Sequence, residues 1–153
     1  NRFVQFQPDM RVTLRDQIIL ESDLQHAIER EELEVKFQPI VSLADRSIAG
    51  FEALVRWQHP KFGQVPPDEF IPLAERSNLI AALGRLVLAR SVQQLDEWHQ
   101  LIKRSGAPLF VAVNISSQQL LGREIVNEVR SMLSRTVIPS GSLKLELTES
   151  LVM

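Results

Sequence analysis

The sequence predicts an α/β protein arranged as roughly the first half of a (β/α) barrel. Three observations carry that expectation. From residue 47 the periodicities run strand, helices, strand, helix, strand, the rhythm of βαβ units. The segment "APLFVAVNIS" (107–116) is nearly all apolar, as strands covered on both faces of a parallel sheet are. Polar residues also recur near strand ends, and Asn114 and Glu146 stand 32 positions apart, about one βα repeat. Eight such units need about 250 residues, and this chain has 153.

In chain order, residues 3–7 alternate as a short strand. Helical spacing runs through "TLRDQIILESDLQHAIEREE" (13–32), where Ser22 is placed to cap a second segment carrying Leu24 and Ile28 on one face. "LEVKFQPIVSL" (33–43) and "SIAGFEALVRW" (47–57) alternate on either side of "ADR", so they predict a hairpin. "QHPKFGQVPPDEF" (58–70) reads as a loop that ends at a helix start, with Pro67 and Asp68 in the first turn. "EFIPLAERS" is a short helix, bent or started at Pro72. The long helix is "NLIAALGRLVLARSVQQLDEWHQLIK" (78–103), in which Leu79, Leu83, Leu86, Val87, Leu95, Trp98 and Ile102 keep helical spacing. "GREIVNEVRSMLSRT" (122–136) is helical, "IPSG" a turn and "SLKLELTES" (142–150) the last strand. Both ends read as cut, since the chain opens within a strand and stops directly after another.

Composition narrows the chemistry. Seventeen Lys and Arg against nineteen Asp and Glu give a net charge of −2, which argues against a broad nucleic-acid surface. Any phosphate would be held locally, by one or two placed cations. With no cysteine there are neither disulfides nor thiolate metal sites. A metal would therefore take oxygen or imidazole ligands, and His26, His59 and His99 have no metal-like spacing and read as surface residues. No apolar run reaches about 18 residues, and no signal-peptide pattern occurs. The expectation is a soluble, cytoplasmic domain without membrane contact.

Three strands share an oddity. In "FEALVRW" (51–57), Glu52, Leu54 and Arg56 face one way, opposite Phe51, Ala53, Val55 and Trp57. Asn114 lies near the C-terminal end of its strand, on the face of Phe110 and Ala112. Glu146 shares a face with Lys144 and Thr148. Barrel active sites are built from side chains at the C-terminal ends of different strands. Two glutamates and an asparagine converging there make an oxygen set suited to Mg²⁺ or Mn²⁺. Each residue also has a plainer role. Glu52 pairs with Arg56 or Lys144, Asn114 caps a strand end, and Glu146 is an edge-strand charge. Gln38 in "FQPI" bonds a ligand or satisfies itself within its strand. Glu149 orients a ligand or is solvated. Only the joint pattern of three strands favours a site.

"FQPIVSLADRSIAGFEALVRWQHPKFGQVPPDEFIPLAERSNLI", then "VAVNISSQQL", then "LKLELTES", together resemble the first half of an EAL domain, the family of cyclic di-GMP phosphodiesterases. The resemblance covers roughly residues 22–153. The opening "NRFVQFQPDM" resembles the last strand of a GGDEF domain, so residues 1–10 would end such a domain and 11–21 would form the junction helix. The resemblance implies a modified TIM barrel of the EAL type, whose first strand runs antiparallel to the others. It implies that Glu52, Asn114 and Glu146 hold catalytic Mg²⁺ or Mn²⁺ in a two-metal site, with Glu52 and Glu149 in the catalytic set. Arg56 would contact a phosphate of cyclic di-GMP, Gln38 and Leu54 would line the nucleotide, and Glu149 would steady its loop. The reaction implied is hydrolysis to linear pGpG. The family's "DDFG"-type aspartates, a lysine and a last glutamate would lie past Met153. The chain alone is therefore expected to be inactive and to self-associate through an open half barrel. A non-catalytic cyclic di-GMP receptor and an assembly element are the alternatives. Retention of Glu52, Asn114, Glu146 and Glu149 favours the enzyme.

Overall fold

The computed structural model describes residues 9–102, 106–120 and 124–147. The strand expected at 3–7 and the residues after Leu147, Glu149 among them, lie outside that range. The elements in order are α1 (Asp9–Glu29), β1 (Glu34–Val41), β2 (Ile48–His59), β3 (Gly63–Val65), α2 (Pro67–Arg76), α3 (Ile80–Leu101), β4 (Phe110–Ile115), α4 (Ser117–Leu120), α5 (Glu124–Leu133) and β5 (Leu143–Leu147). The sheet has the order β1-β2-β4-β5, with β3 pairing β2 off that path. β1 runs antiparallel to β2, whereas β2, β4 and β5 are mutually parallel. The sheet is unclosed, as expected for part of a barrel, and its first strand is the reversed one.

Local chemistry explains most boundaries. The β1–β2 turn closes through Ser42 N–H to the Ser47 carbonyl at 2.8 Å, with Arg46 in the left-handed region at φ 59°. Asp45 accepts from the Ser47 N–H at 3.1 Å and from the Ser47 hydroxyl at 2.9 Å. The Ser47 N–H, followed by the Ser42 side chain, holds the Asp45 carboxyl below the usual carboxylate range. Helix α2 starts at Pro67, where a missing N–H costs nothing, with Asp68 and Glu69 in its positively polarised first turn. It ends in a Schellman arrangement: Leu79 N–H reaches the Ala74 carbonyl at 2.8 Å while Asn78 takes φ 58°.

The core forms between one face of the sheet and the helices. Ala53, Val55, Trp57, Val111, Val113 and Ile115 alternate onto that face and are buried with Phe70 and Leu73 of α2 and Leu83, Val87 and Leu95 of α3. Trp98 on α3 packs between Phe37 at 5.2 Å and Phe51 at 4.3 Å, pinning the hairpin to the helix. Trp57 meets the fully buried Phe70 edge-on at 5.8 Å. Aromatic pairs of this kind add about 0.5–1.5 kcal/mol beyond the area they bury. Among the described residues no helix is long and apolar enough to cross a membrane.

Several expectations need correction. α1 is continuous through Ser22, because Leu24 and Ala27 are buried along one stripe and a break would expose them. α2 begins five residues before Pro72, which sits inside it. The stretch 58–70 is not all loop: Trp57, Gln58 and His59 pair with Val65, Gln64 and Gly63. His59 is no surface residue, being 3% exposed. Its Nδ1 accepts the N–H groups of Lys61 at 3.0 Å and Phe62 at 3.2 Å. The proton therefore lies on Nε2, which donates to Asp23 Oδ2 at 3.0 Å and ties α1 to the end of β2. His99 is half-buried, its Nε2 bonded to the Leu109 carbonyl at 3.1 Å. His26 is exposed as expected.

Candidate active site

Register decides which side chains meet. Gln38 lies opposite Glu52, and Glu52 opposite Ala112. Asn114 lies opposite Glu146. Cross-strand partners share a face, and positions two apart on a strand share it too. Gln38, Glu52, Leu54, Arg56, Asn114 and Glu146 therefore occupy one face of the sheet, the one turned away from the helices. On parallel β4 and β5, Asn114 and Glu146 lie toward the C-terminal ends, where barrel enzymes keep their chemistry, and Glu52 on β2 is level with Ala112, two residues before Asn114.

The contacts bear this out for two of the residues. Asn114 Nδ2 donates to Glu52 Oε1 at 2.8 Å, joining side chains 62 positions apart in sequence. Glu146 stands directly beside Asn114 on the next strand, exposed. Among the described residues neither Glu52 nor Glu146 forms an ion pair, so the pairing of Glu52 with Arg56 or Lys144 does not occur. Arg56 instead turns Nη1 to its own neighbour's carbonyl, Val55 O, at 2.9 Å. Lys144 sits over the Phe110 ring, 3.3 Å from its centroid. Glu52 and Arg56 are half-buried, because the face they occupy is open.

What this arrangement can hold follows from its donors. Among the described residues no three His, Asp or Glu side chains gather into a metal cluster. Asn114 donates its N–H to Glu52 and so keeps its amide oxygen, and with Glu146 opposite in register the oxygens these three residues carry are of the hard type. A cleft of about 220 Å³ runs from this face toward α2 and α3, lined among others by Leu54, Arg56, Asn114, Ser116 and Gln119. A wider groove of about 810 Å³ between α1, β3 and α2 contains none of the expected site residues.

Sequence reasoning passed over the residues just beyond Asn114. Ser116 is 7% exposed and donates its hydroxyl to Glu75 Oε1 on α2 at 2.6 Å. Its N–H is taken by Gln119 Oε1 at 3.0 Å. The signal was present as Ser-x-x-Gln, the spacing of a capping box at a helix start.

Comparison with known proteins identifies the family and the fold. The EAL domain family model matches residues 21–153. The bifunctional diguanylate cyclase/cyclic di-GMP phosphodiesterase MucR of Pseudomonas aeruginosa is 35% identical over 153 residues, which is 100% of this chain and 22% of MucR. The cyclic di-GMP phosphodiesterase PdeR of Escherichia coli is 36% identical over 149 residues, 97% of this chain and 22% of PdeR. The solved complex of the PaMucR phosphodiesterase with c-di-GMP superposes with a TM-score of 0.77 at 37% identity, over 86% of this chain and 52% of that one. The chain thus spans about a fifth of these curated relatives and about half of the solved domain.

Proposed function

The chain belongs to the EAL domain family, and from that premise we propose that it is the ligand-bearing first part of a cyclic di-GMP phosphodiesterase. The observation that carries the reading is the Asn114–Glu52 hydrogen bond of 2.8 Å beside Glu146. It is supported by the register that sets Glu146 opposite Asn114 and by the lack of an ion pair to either glutamate among the described residues. The names borne by MucR and PdeR support the substrate.

Glu52, Asn114 and Glu146 would hold Mg²⁺ or Mn²⁺, within a two-metal site once the barrel is whole. A divalent cation there supplies positive charge to phosphoryl oxygens and activates water. The chain's own side chains bind and orient. Arg56 leaves the Val55 carbonyl to give charge-assisted hydrogen bonds to a phosphate, Gln38 and Leu54 line the nucleotide, and Glu149 steadies the loop after β5. Water oxygen forms the new P–O bond, one ester P–O bond breaks, and its leaving oxygen takes a proton. The product is linear pGpG.

In the parent protein, residues 1–10 would end a GGDEF-like domain and 11–21 would lead through α1 into the EAL domain, in the cytoplasm. β5 is an edge of the described sheet, and Leu145 and Leu147 are 43% and 62% exposed. Residues 1–153 alone are expected to self-associate through that edge and to turn over no substrate.

The test compares the full-length parent with residues 1–153, incubated with cyclic di-GMP and Mg²⁺ or Mn²⁺, following pGpG, with Glu52→Ala as control. Turnover by the parent only, lost in the control, supports the proposal. Tight nucleotide binding without turnover by the parent would replace the enzyme with a receptor.

A further inference from the structure

Gly84 lies inside α3, where a glycine costs about 1 kcal/mol relative to alanine. Nothing in its backbone requires it, since it is neither a turn nor a site of positive φ. The reason lies across the cleft. A Cβ built on Gly84 would come within 1.7 Å of Gln119 Nε2 and 2.9 Å of its Cδ. The missing side chain is the seat of Gln119.

Gln119 in turn holds the end of β4. Its Oε1 takes the Ser116 N–H at 3.0 Å, and its own N–H returns to the Ser116 carbonyl at 3.0 Å. Ser116 is held from the other side by Glu75 at 2.6 Å, and accepts from Gln118 N–H at 3.4 Å. Glu75 sits in the last turn of α2, which the Schellman stop at Asn78 fixes. A capping box accounts for the bonds within 116–119. It does not account for a helix-weakening glycine on α3 or a carboxylate from α2, both directed at a helix of four residues.

We propose that Gly84, Gln119, Ser116 and Glu75 form a positioning device that clamps the C-terminal end of β4, so that Asn114 meets Glu52 in the geometry that binds a divalent cation. The inference rests on the proposed ligand role of Asn114. Ser116 follows Asn114 by two positions, just past the end of β4, so a shift of the strand end carries the amide with it. Metal ligands depend on such support, whose loss costs about 10–100-fold in affinity.

The experiment measures Mn²⁺ binding by titration calorimetry, and thermal unfolding alongside it, on the full-length parent. The variants are Gly84→Ala, Gln119→Met, Gln119→Glu and Asn114→Ala. Gly84→Ala has only the far end of a flexible side chain to displace and improves the helix. It is expected to leave the unfolding midpoint unchanged or raise it while weakening Mn²⁺ about tenfold. Gln119→Met is expected to weaken Mn²⁺ similarly, and Gln119→Glu, which keeps an acceptor for Ser116 N–H, to regain most of it. Wild-type affinity in Gly84→Ala and Gln119→Met, with binding lost in Asn114→Ala, overturns the positioning device alone. Wild-type affinity in Asn114→Ala overturns the ligand reading beneath it.

Discussion

The inward face of the sheet has two ends with opposite uses of charge. At its floor, near the start of the parallel strands, Phe110 lies against Gly50, and Lys144, level with Glu52 across Ala112, places its ammonium 3.3 Å over that ring. The cation there is satisfied by an aromatic face and needs no carboxylate. Toward the mouth, among the described residues, neither Glu52 nor Glu146 forms an ion pair; Glu52 accepts the amide of Asn114, and Glu146 lies opposite Asn114 in register. Among the described residues, then, Lys144 has an aromatic partner while the two glutamates on the same face form no ion pair, and the proposed cation site rests on that contrast. On that proposal the floor serves packing and the mouth serves binding.

The largest effect that can test this contrast comes from Glu52→Gln. The amide keeps an oxygen to accept Asn114 Nδ2 and changes only the charge. Mn²⁺ affinity of the parent chain is expected to fall at least about 100-fold, while stability stays within about 0.5 kcal/mol. A loss of stability comparable to the loss of binding would make Glu52 a structural residue and erase the contrast. Gly50→Ala attacks the other end. Its Cβ would stand 2.5 Å from the Phe110 carbonyl oxygen and 2.7 Å from the ring, and a ladder carbonyl cannot step aside. Urea unfolding is expected to show a loss of about 1–3 kcal/mol. An unchanged urea midpoint would mean that the ring is not seated on Gly50.

The parts legible in the sequence were those whose signal is local and periodic. The apolar run of β4, the helical spacing from Leu79 to Trp98, and the alternation of β1 and β2 around "ADR" each follow from the burial of particular faces. The inward set was legible for the same reason, since period two places Glu52 and Arg56 on the face opposite Trp57. What failed depended on tertiary partners. β3 is three residues in a Pro- and Gly-rich stretch, and only pairing with β2 makes it a strand. Ser22 offered a cap, but the buried stripe of Leu24 and Ala27 outweighed it. His59 was legible and missed: the alternation Ala53, Val55, Trp57 continues to it, onto the buried face. The partner of each inward charge was not legible, because Asn114 and Glu52 meet only through strand register.

A smaller effect belongs to Lys144. Replacement by Met keeps the length of the side chain and removes the charge above Phe110. The expected loss is about 0.5–1 kcal/mol, the worth of an exposed cation–π contact. Mn²⁺ affinity of the parent should stay constant or rise, since a cation on the same face as Glu146 disappears. A fall in Mn²⁺ affinity would show that the floor serves the mouth directly, and the division between the two ends would fail.

The smallest effect sits at the hairpin tip on the floor side, where Asp45 shows what a carboxylate looks like when the fold uses it for itself. Its oxygens accept the Ser47 N–H and hydroxyl, and those bonds, with Ser42, hold its carboxyl below the usual range. A depressed folded value means stabilisation that is present above the ordinary carboxylate value, near pH 4, and lost as pH falls through the lowered one. Asp45→Asn keeps one acceptor and removes the charge, so the acid limb of the stability curve below about pH 4 should become shallower. Because Asp45 is exposed, the change should be visible only as that slope, with the midpoint at neutral pH nearly unmoved. An acid limb identical in both proteins would mean that the turn does not depend on the ionised form of Asp45, and that the floor carboxylate is as free of the fold as those at the mouth.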